Sequence, residues 1–220
     1  MNARSVLLLA VLAARTAGAQ EVNLARLGGE GQNRVSVRTG GEYGLVAGVG
    51  YSREVEALGR TMLLGADMTL PWAGLDAGDW RLRASALVPI VGGEHWKLAG
   101  IFAPTVRETT NDVARMTGVG VDVGAVGGWY ARRWFAALEA GADWEIATYV
   151  KNSDRYRQII YAGARDGWYR MPGGNFRLGL QTGLSFSRFD VALRAGRLLD
   201  VGGNSPPLPY YVTLGLTTRF

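Results

Sequence analysis

Apolar and polar residues alternate along most of the chain after residue 33. Between residues 176 and 186, Phe176 and Phe186 lie on one parity, whereas Arg177 lies on the other. A period of two places the two parities on opposite faces of a β-strand. The same alternation recurs in residues 134–149 and 210–220. The pattern therefore predicts an all-β protein that is built from long strands.

The two faces of these strands differ in bulk as well as in polarity. Glycine, serine and charged residues make up the polar face, whereas the large side chains lie on the apolar face. A soluble barrel fills its interior with large apolar groups and turns its polar face to solvent. A polar face this small cannot form a core, so we expect the apolar face to point outward towards lipid. The sequence thus predicts a transmembrane, up-and-down antiparallel β-barrel.

Aromatic residues recur at a fixed spacing on the apolar parity. The pairs Phe176 and Phe186, and Trp134 and Trp144, are each ten residues apart, as are Tyr210 and Phe220. Ten tilted strand residues span roughly 25 Å along the membrane normal, which matches the apolar band between two aromatic girdles. The residues assigned to the two girdles are Tyr43, Trp72, Trp80, Trp144, Phe176 and Tyr210, and Trp96, Trp129, Trp134, Phe186 and Phe189.

The segments between turn-like clusters give a strand count of ten, with eight as the alternative. The predicted strands are 33–39, 42–54, 60–72, 80–91, 96–108, 116–130, 134–149, 174–187, 188–199 and 210–220. Short breaks at 55–59, 92–95, 131–133 and 187–188 alternate with longer ones at 73–79, 109–115, 150–173 and 200–209. This alternation is typical of short periplasmic turns and long outer loops. The count needs a first strand around Val35, joined to the second by a tight turn at Gly40 and Gly41.

The first residues of the chain are predicted to direct export. Arg4 is followed by an apolar run over 6–14 and by the small residues of 17–19, which is the pattern of a secretory signal peptide. We therefore divide the chain into a signal peptide (1–19), a flexible periplasmic leader (20–32) and a barrel domain (33–220).

Composition removes several other classes of function. The chain has no cysteine, which excludes disulfides and thiolate chemistry. Its net charge of +5 is dispersed and comes mostly from arginine, so no basic run is present for a nucleic-acid backbone to follow. We expect no nucleic-acid partner.

The C-terminal strand carries a recognisable pattern. Apolar residues at alternate positions precede a terminal phenylalanine, at Tyr210, Val212, Leu214, Leu216 and Phe220. This resembles the C-terminal signal of Gram-negative outer-membrane β-barrel proteins, although Thr218 departs from its most apolar form. The resemblance implies an outer-membrane location and the barrel-assembly machinery as a folding partner. It does not identify a subfamily.

Catalytic chemistry has few candidates. The only histidine, His95, lies in a predicted periplasmic turn, and a serine triad or a histidine-bearing metal site would lack its usual groups. We expect no enzyme activity, catalytic residue, metal or cofactor. A hydrolase that acts on lipid or peptide, with Asp143 as an acid, is the least favoured alternative.

Charged residues on the inward parity suggest two readings of the interior. Compensated ion pairs that plug a narrow barrel are favoured over a charged eyelet that admits small ions or solutes, because barrels near this size are filled by side chains. We expect Asp67 to pair with Arg81 or Arg83, and Arg177 to pair with acids of the 134–149 strand. The inward charges are Arg38, Asp67, Arg81, Arg83, Lys97, Arg107, Asp122, Glu139, Asp143, Glu145, Arg177 and Arg194.

The longest predicted loop, 150–173, mixes arginine with aromatic residues. Binding surfaces favour this mixture, and arginine also pairs with lipopolysaccharide phosphates. Lipid or structural contacts are favoured here over a dedicated ligand site, and surface binding or adhesion is the alternative function. The candidate residues are Arg155, Tyr156, Arg157, Arg165, Trp168, Tyr169 and Arg170.

Overall fold

The computed structural model describes residues 21–29, 31–42, 44–72, 78–170, 173–200 and 209–220. Most of them lie in eleven strands, with one short helix, α1 (Asp154–Ile159), and one 3-10 turn (Leu24–Arg26). The strands are β1 (Asn33–Gly41), β2 (Leu45–Ala57), β3 (Arg60–Pro71), β4 (Asp79–Gly92), β5 (Trp96–Thr110), β6 (Ala114–Tyr130), β7 (Trp134–Asn152), β8 (Gly167–Tyr169), β9 (Gly173–Ser185), β10 (Phe189–Asp200) and β11 (Tyr210–Arg219).

Ten of these strands close into one antiparallel barrel. Each pairs with its neighbour in the chain, and β1 pairs with β11 from Arg34↔Arg219 to Gly41↔Val212. The three-residue β8 is not part of the wall and pairs only with the end of β7. The predicted all-β barrel of ten strands is confirmed. In the part of the chain that the structure covers, no helix is long and apolar enough to cross a membrane.

The two ends of the barrel differ in their connections. We call the end with Asn33 and Phe220 the terminus end; its connections are 58–59, 93–95, 131–133 and 186–188. The opposite loop end carries 42–44, 72–78, 111–113, 153–172 and 201–209.

Two predicted boundaries were wrong at the loop end. The predicted break at 109–115 shrinks to 111–113, because β5 and β6 continue to pair as far as Thr110↔Arg115. The first strand also continues through Gly40 and Gly41, where we had predicted the turn, and pairs there with β2 and β11.

Side chains on neighbouring positions of one strand have opposite environments. On β9, Leu180 on the outer face is 60 % exposed, whereas Gln181 on the inner face is 2 % exposed. The outer face therefore carries large apolar side chains that none of the described residues covers, and the polar side chains lie inside. This arrangement is the reverse of that in a soluble barrel, and it agrees with the large side chains at the apolar positions and the small ones at the polar positions of each strand.

The terminus end of the interior contains an apolar cluster that the sequence reading missed. The small side chains of the polar parity predict an inner face without an apolar core. Instead, Tyr130 and Phe135 stack with ring centroids 5.5 Å apart, and further inward-facing apolar residues surround them. The cluster also includes Leu63, Leu87, Ile101, Val126, Val22 and Leu24.

The N-terminal segment Glu21–Gly29 lies inside the barrel. Asn23 is fully buried, and its Nδ2 donates hydrogen bonds to Ala131 O at 2.8 Å and Ser185 Oγ at 2.9 Å. Further in, Thr213 Oγ1 donates to Glu21 Oε1 at 3.1 Å. This corrects the prediction of a loose leader over 20–32, because the described part of that segment contacts five strands and two turns. The predicted signal peptide lies outside the described residues.

Candidate functional site in the barrel interior

Ion pairs at the terminus end hold the N-terminal segment to the wall. Arg34 hydrogen-bonds Glu54, and the Gly28 backbone N–H donates to Glu54 Oε2 at 2.8 Å. Between β10 and β11, Asp190 lies 3.4 Å from Arg219, and it also lies 3.7 Å from Arg26 of the N-terminal segment. The sequence analysis did not single out these residues, because their contacts depend on strand register and on the position of the N-terminal segment.

A second set of contacts centres on Glu139 in the middle of the interior. Arg194 donates to its carboxylate through Nε at 3.0 Å and Nη2 at 2.8 Å. Tyr211 and Gln181 donate to the same carboxylate, and Arg194 also lies 3.6 Å from Glu21. We call Glu139, Arg194, Tyr211, Gln181 and Glu21 the central network. It is solvent-excluded and joins the N-terminal segment to four strands.

A chain of alternating charges lies on the loop-end side of the central network. Its order is Arg38, Asp67, Arg83, Asp122 and Arg177, with N···O separations of 2.8, 2.6, 3.4 and 2.7 Å. We call this set the charge chain. Each carboxylate in it contacts two guanidinium groups, so the buried charges are compensated.

Of the two expected ion pairings, one is present and the other differs in the structure. Asp67 contacts Arg83, which was one of its two expected partners. Arg177, however, contacts Asp122 of β6 rather than the acids of β7. Asp143 instead accepts the Asn175 N–H at 3.0 Å, and Glu145 accepts the Thr148 hydroxyl. The reason is register, since Arg177 lies opposite Gly141 of β7, and its guanidinium extends over Gly141 and Gly124 to Asp122 of β6.

The central network and the charge chain leave little free space. The cavity between them has a volume of about 30 Å³ and is lined by Glu42, Arg81, Arg83, Asp122, Arg177, Arg194, Leu198 and Tyr211. A space of this size holds about two water molecules. The apolar cluster and the N-terminal segment lie on the terminus-end side of this cavity. The described residues therefore close the interior to larger solutes.

A wider space opens at the loop end. One cavity of about 140 Å³ contacts Arg81, Arg107, Asp143, Glu145 and Asn175, and we call it the vestibule. A neighbouring cavity of about 230 Å³ shares Arg81 and Arg107 and is also lined by Asp79 and Trp80. Arg107 lies 3.8 Å from Asp79 and is about half exposed. Lys97 lies near the start of β5, at the terminus end of the barrel, and is half-buried.

The 153–172 connection folds back on itself at the loop end. Ser153 caps α1 by accepting the Tyr156 N–H at 3.1 Å, and its hydroxyl donates to Asp112 O at 2.8 Å. Asp166 accepts the Asn152 N–H at 2.8 Å and contacts Arg157 at 2.6 Å. These two donors hold the pKa of Asp166 below its ordinary value of 3.8.

The candidate residues of this connection have different environments. Arg155 lies 3.5 Å from Asp112 and remains mostly exposed. Trp168 packs edge-on against Tyr149, at 5.6 Å between centroids, while the Tyr169 hydroxyl donates to Arg165 O. Tyr156 and Arg157 are half-buried and Arg170 is exposed. Large apolar side chains nearby are also exposed, namely Ile159, Ile160 and Tyr161.

The predicted girdle residues lie towards the two ends of the barrel. Trp144 and Phe176 contact edge-on near the loop end, where Trp72 and Tyr210 are exposed and Trp80 is half-buried. Near the terminus end, Phe186 stacks on Phe189, Trp96 contacts Trp129, and Trp134 is exposed. Tyr43 lies outside the described residues. On β11 and just beyond it, the outer face exposes Tyr210, Val212, Leu214, Leu216 and Phe220.

His95 lies in the 93–95 connection and packs against Trp129, with ring centroids 4.6 Å apart. Within the described ranges, no group of three or more His, Asp or Glu side chains is arranged to hold a metal ion.

Neither a scan against protein-family models nor a search of curated proteins found a match for this chain. The fold therefore defines the class: a closed, ten-stranded antiparallel β-barrel with an apolar outer face and a charged, filled interior.

Proposed function

We propose that this protein is a bacterial outer-membrane β-barrel with a closed interior, and that it acts at its loop end rather than by conduction. The inverted polarity of the wall supports a membrane location, because lipid is the solvent that suits an outer face of exposed leucine and aromatic side chains. The predicted signal peptide and the C-terminal pattern that ends at Phe220 agree with export and outer-membrane assembly.

The proposed orientation follows from the connections. Short connections lie at the terminus end, which we place in the periplasm, and the 153–172 connection lies at the opposite, outer end. Lipopolysaccharide is the partner expected around the outer girdle, and the barrel-assembly machinery is the partner expected during folding.

The filling of the interior is the observation that carries the proposal. Glu21 and Asn23 reach into the barrel, and Glu139 of β7 binds Arg194 of β10 over the intervening strand β9. An open pore needs a continuous water path, whereas the space at the charge chain holds about two water molecules. A narrow, porin-like channel is the alternative, in which the same charges would select ions.

Planar-bilayer recording of the refolded mature protein tests the proposal. We expect a silent wild-type barrel, and small stepwise currents from a variant that lacks residues 21–29. A second variant, Glu139→Ala, loosens the central network without shortening the chain. Heat modifiability on gels establishes that each variant has folded. Discrete, ion-selective wild-type currents would refute the closed interior and favour the channel.

A second candidate function is surface binding through the 153–172 connection. Its support is the exposure of Ile159, Ile160 and Trp168 on a segment that Arg157 and Asp166 hold in shape. Replacement of 154–166 by a short glycine-serine linker should abolish binding to lipopolysaccharide vesicles, whereas Glu56→Gln at the terminus end should not affect it. Equal binding by both variants would remove this candidate.

A further inference from the structure

Two neighbouring turns at the terminus end carry exposed arginine residues. One connects β6 to β7 and contains Arg132 and Arg133, and the other connects β9 to β10 and contains Arg188. The two turns lie side by side, because β7 pairs with β9 and the Ser185 N–H donates to Arg133 O at 2.8 Å. Their centres are about 10 Å apart, or two strand spacings. The three arginines therefore form one patch of the rim, which we call the arginine patch.

The arginine patch has no counter-ion among the described residues, since none of its three guanidinium groups forms an ion pair or a hydrogen bond with them. The nearby acid of β10, Asp190, is already shared between Arg219 and Arg26. Arg26 also donates to two backbone carbonyls of the second turn, which places a further cation beside it. In the next turn along the rim, Glu94 lies 3.9 Å from His95. The patch therefore keeps a positive charge that its surroundings do not neutralise.

Exposed aromatic side chains lie on the outer face of the barrel next to the arginine patch. Trp134 begins β7, and Phe189, which begins β10, stacks on Phe186 with ring centroids 4.5 Å apart. In each turn an arginine directly precedes the aromatic residue that begins the next strand, as Arg133 precedes Trp134 and Arg188 precedes Phe189. Aromatic girdles mark the boundary between the hydrocarbon and the headgroups of a bilayer. The arginines that adjoin this girdle therefore lie at the depth of the headgroup phosphates.

We propose that the arginine patch binds an anionic phospholipid of the leaflet at the terminus end. The guanidinium groups of the two turns hold the lipid phosphate, because arginine forms bidentate, charge-assisted hydrogen bonds with phosphate. The acyl chains lie along Trp134 and the stacked pair of Phe186 and Phe189. Lipids with a net negative charge are preferred over zwitterionic lipids, because each arginine near a membrane surface adds to the attraction for anionic lipid.

The inference goes beyond the proposed function and rests on its membrane location alone. It does not depend on the closed interior, because the lipid binds outside the wall. A folded barrel that fails to insert into vesicles would refute the membrane location. A barrel that inserts but shows no preference for anionic lipid would refute the lipid site and leave the membrane location standing.

Native mass spectrometry of the refolded barrel in detergent micelles tests the site with phosphatidylglycerol and phosphatidylcholine of identical acyl chains. We expect phosphatidylglycerol to bind at least about tenfold more tightly than phosphatidylcholine. The double variant Arg132→Gln/Arg188→Gln should weaken phosphatidylglycerol binding by at least about tenfold, at about fivefold for each arginine, and change phosphatidylcholine binding little. The matched control, Arg53→Gln/Arg197→Gln, removes two exposed arginines of other strands and should keep the wild-type preference. Heat modifiability on gels establishes that each variant has folded.

Three results would overturn the proposal. The first is equal affinity of the folded wild type for the two lipids, and the second is an equal loss of phosphatidylglycerol binding in the patch variant and in the control. The third is displacement of phosphatidylglycerol by glycerol phosphate at the same concentration, which would identify a soluble phosphate ligand that needs no contact with the aromatic side chains. Sedimentation of the wild type, but not of the patch variant, with isolated peptidoglycan in the absence of any lipid preference would assign the patch to the cell wall instead.

Discussion

Separating Glu139 from Arg194 should be among the most destabilising changes in the barrel. Glu139 is 3 % exposed and accepts hydrogen bonds from Arg194, Tyr211 and Gln181. Glu139→Leu leaves these donors in a space from which water is excluded, and leaves Arg194 with Glu21 as its remaining acid at 3.6 Å. Breaking a buried ion pair on one side costs about 3–5 kcal/mol.

The loss in free energy of unfolding arises from the charged partner that remains buried without its counter-ion. Arg194→Met should cost a similar amount, because it leaves the Glu139 carboxylate without its cation. The double variant removes both charges, and replacing a buried pair by apolar groups is often close to neutral. We therefore expect it to cost less than the two single changes together, by at least about 2 kcal/mol.

Urea unfolding of the refolded barrel in lipid vesicles measures these free energies. Asp112→Ala, which breaks the exposed contact with Arg155, is the control and should cost less than about 1 kcal/mol. If the Glu139 and Arg194 changes are additive, or each costs no more than the control, the pair does not hold the interior together.

Two further outcomes follow from the structure. Gly183→Ala should destabilise the barrel by roughly 1–3 kcal/mol, because the added Cβ would lie 2.4 Å from the Phe135 ring. Gly92→Ala is the control and should change the same urea unfolding curve little, because its Cβ would have no neighbour within 4 Å among the described residues other than those adjacent in the chain. The Asp166 contacts should hold the 153–172 connection at neutral pH and weaken only as the pH falls below 3.8. The reason is that the lowered pKa of Asp166 reflects stabilisation of its carboxylate in the folded protein, and this stabilisation is lost when the carboxylate is protonated. Amide exchange at Asn152 reports this change, and a loss already at pH 6 would contradict it.

The strands were predictable because the alternation of apolar and polar residues within each strand indicates which side chains face outward and which face inward. At Leu180 and Gln181, a local period of two separates the outer face from the inner one, and no knowledge of distant residues is needed. The strand ends were less predictable. Beyond Glu108, the ladder of β5 and β6 continues through polar residues, where alternation no longer distinguishes strand from loop.

The interior could be predicted as a list of residues but not as a set of pairs. Inward parity placed Asp122 and Arg177 on the inner wall, yet their contact depends on the register of strands 55 residues apart in sequence. The N-terminal segment was missed for the same reason. Asn23 bonds to Ala131 and Ser185, which are 108 and 162 residues away, and no local pattern reports such contacts.

The path of the N-terminal segment places a constraint on assembly of the barrel. Gly31, with a φ of +84°, turns the chain back into the barrel beside Arg219, and Asn33 and Phe220 exchange backbone hydrogen bonds where the ring closes. Since Glu21 then lies well inside, the segment has to enter before or while β1 meets β11, or thread through a finished ring afterwards. A fusion at Phe220 thus extends from the rim, whereas Glu21, the first residue that the structure describes, lies within the barrel.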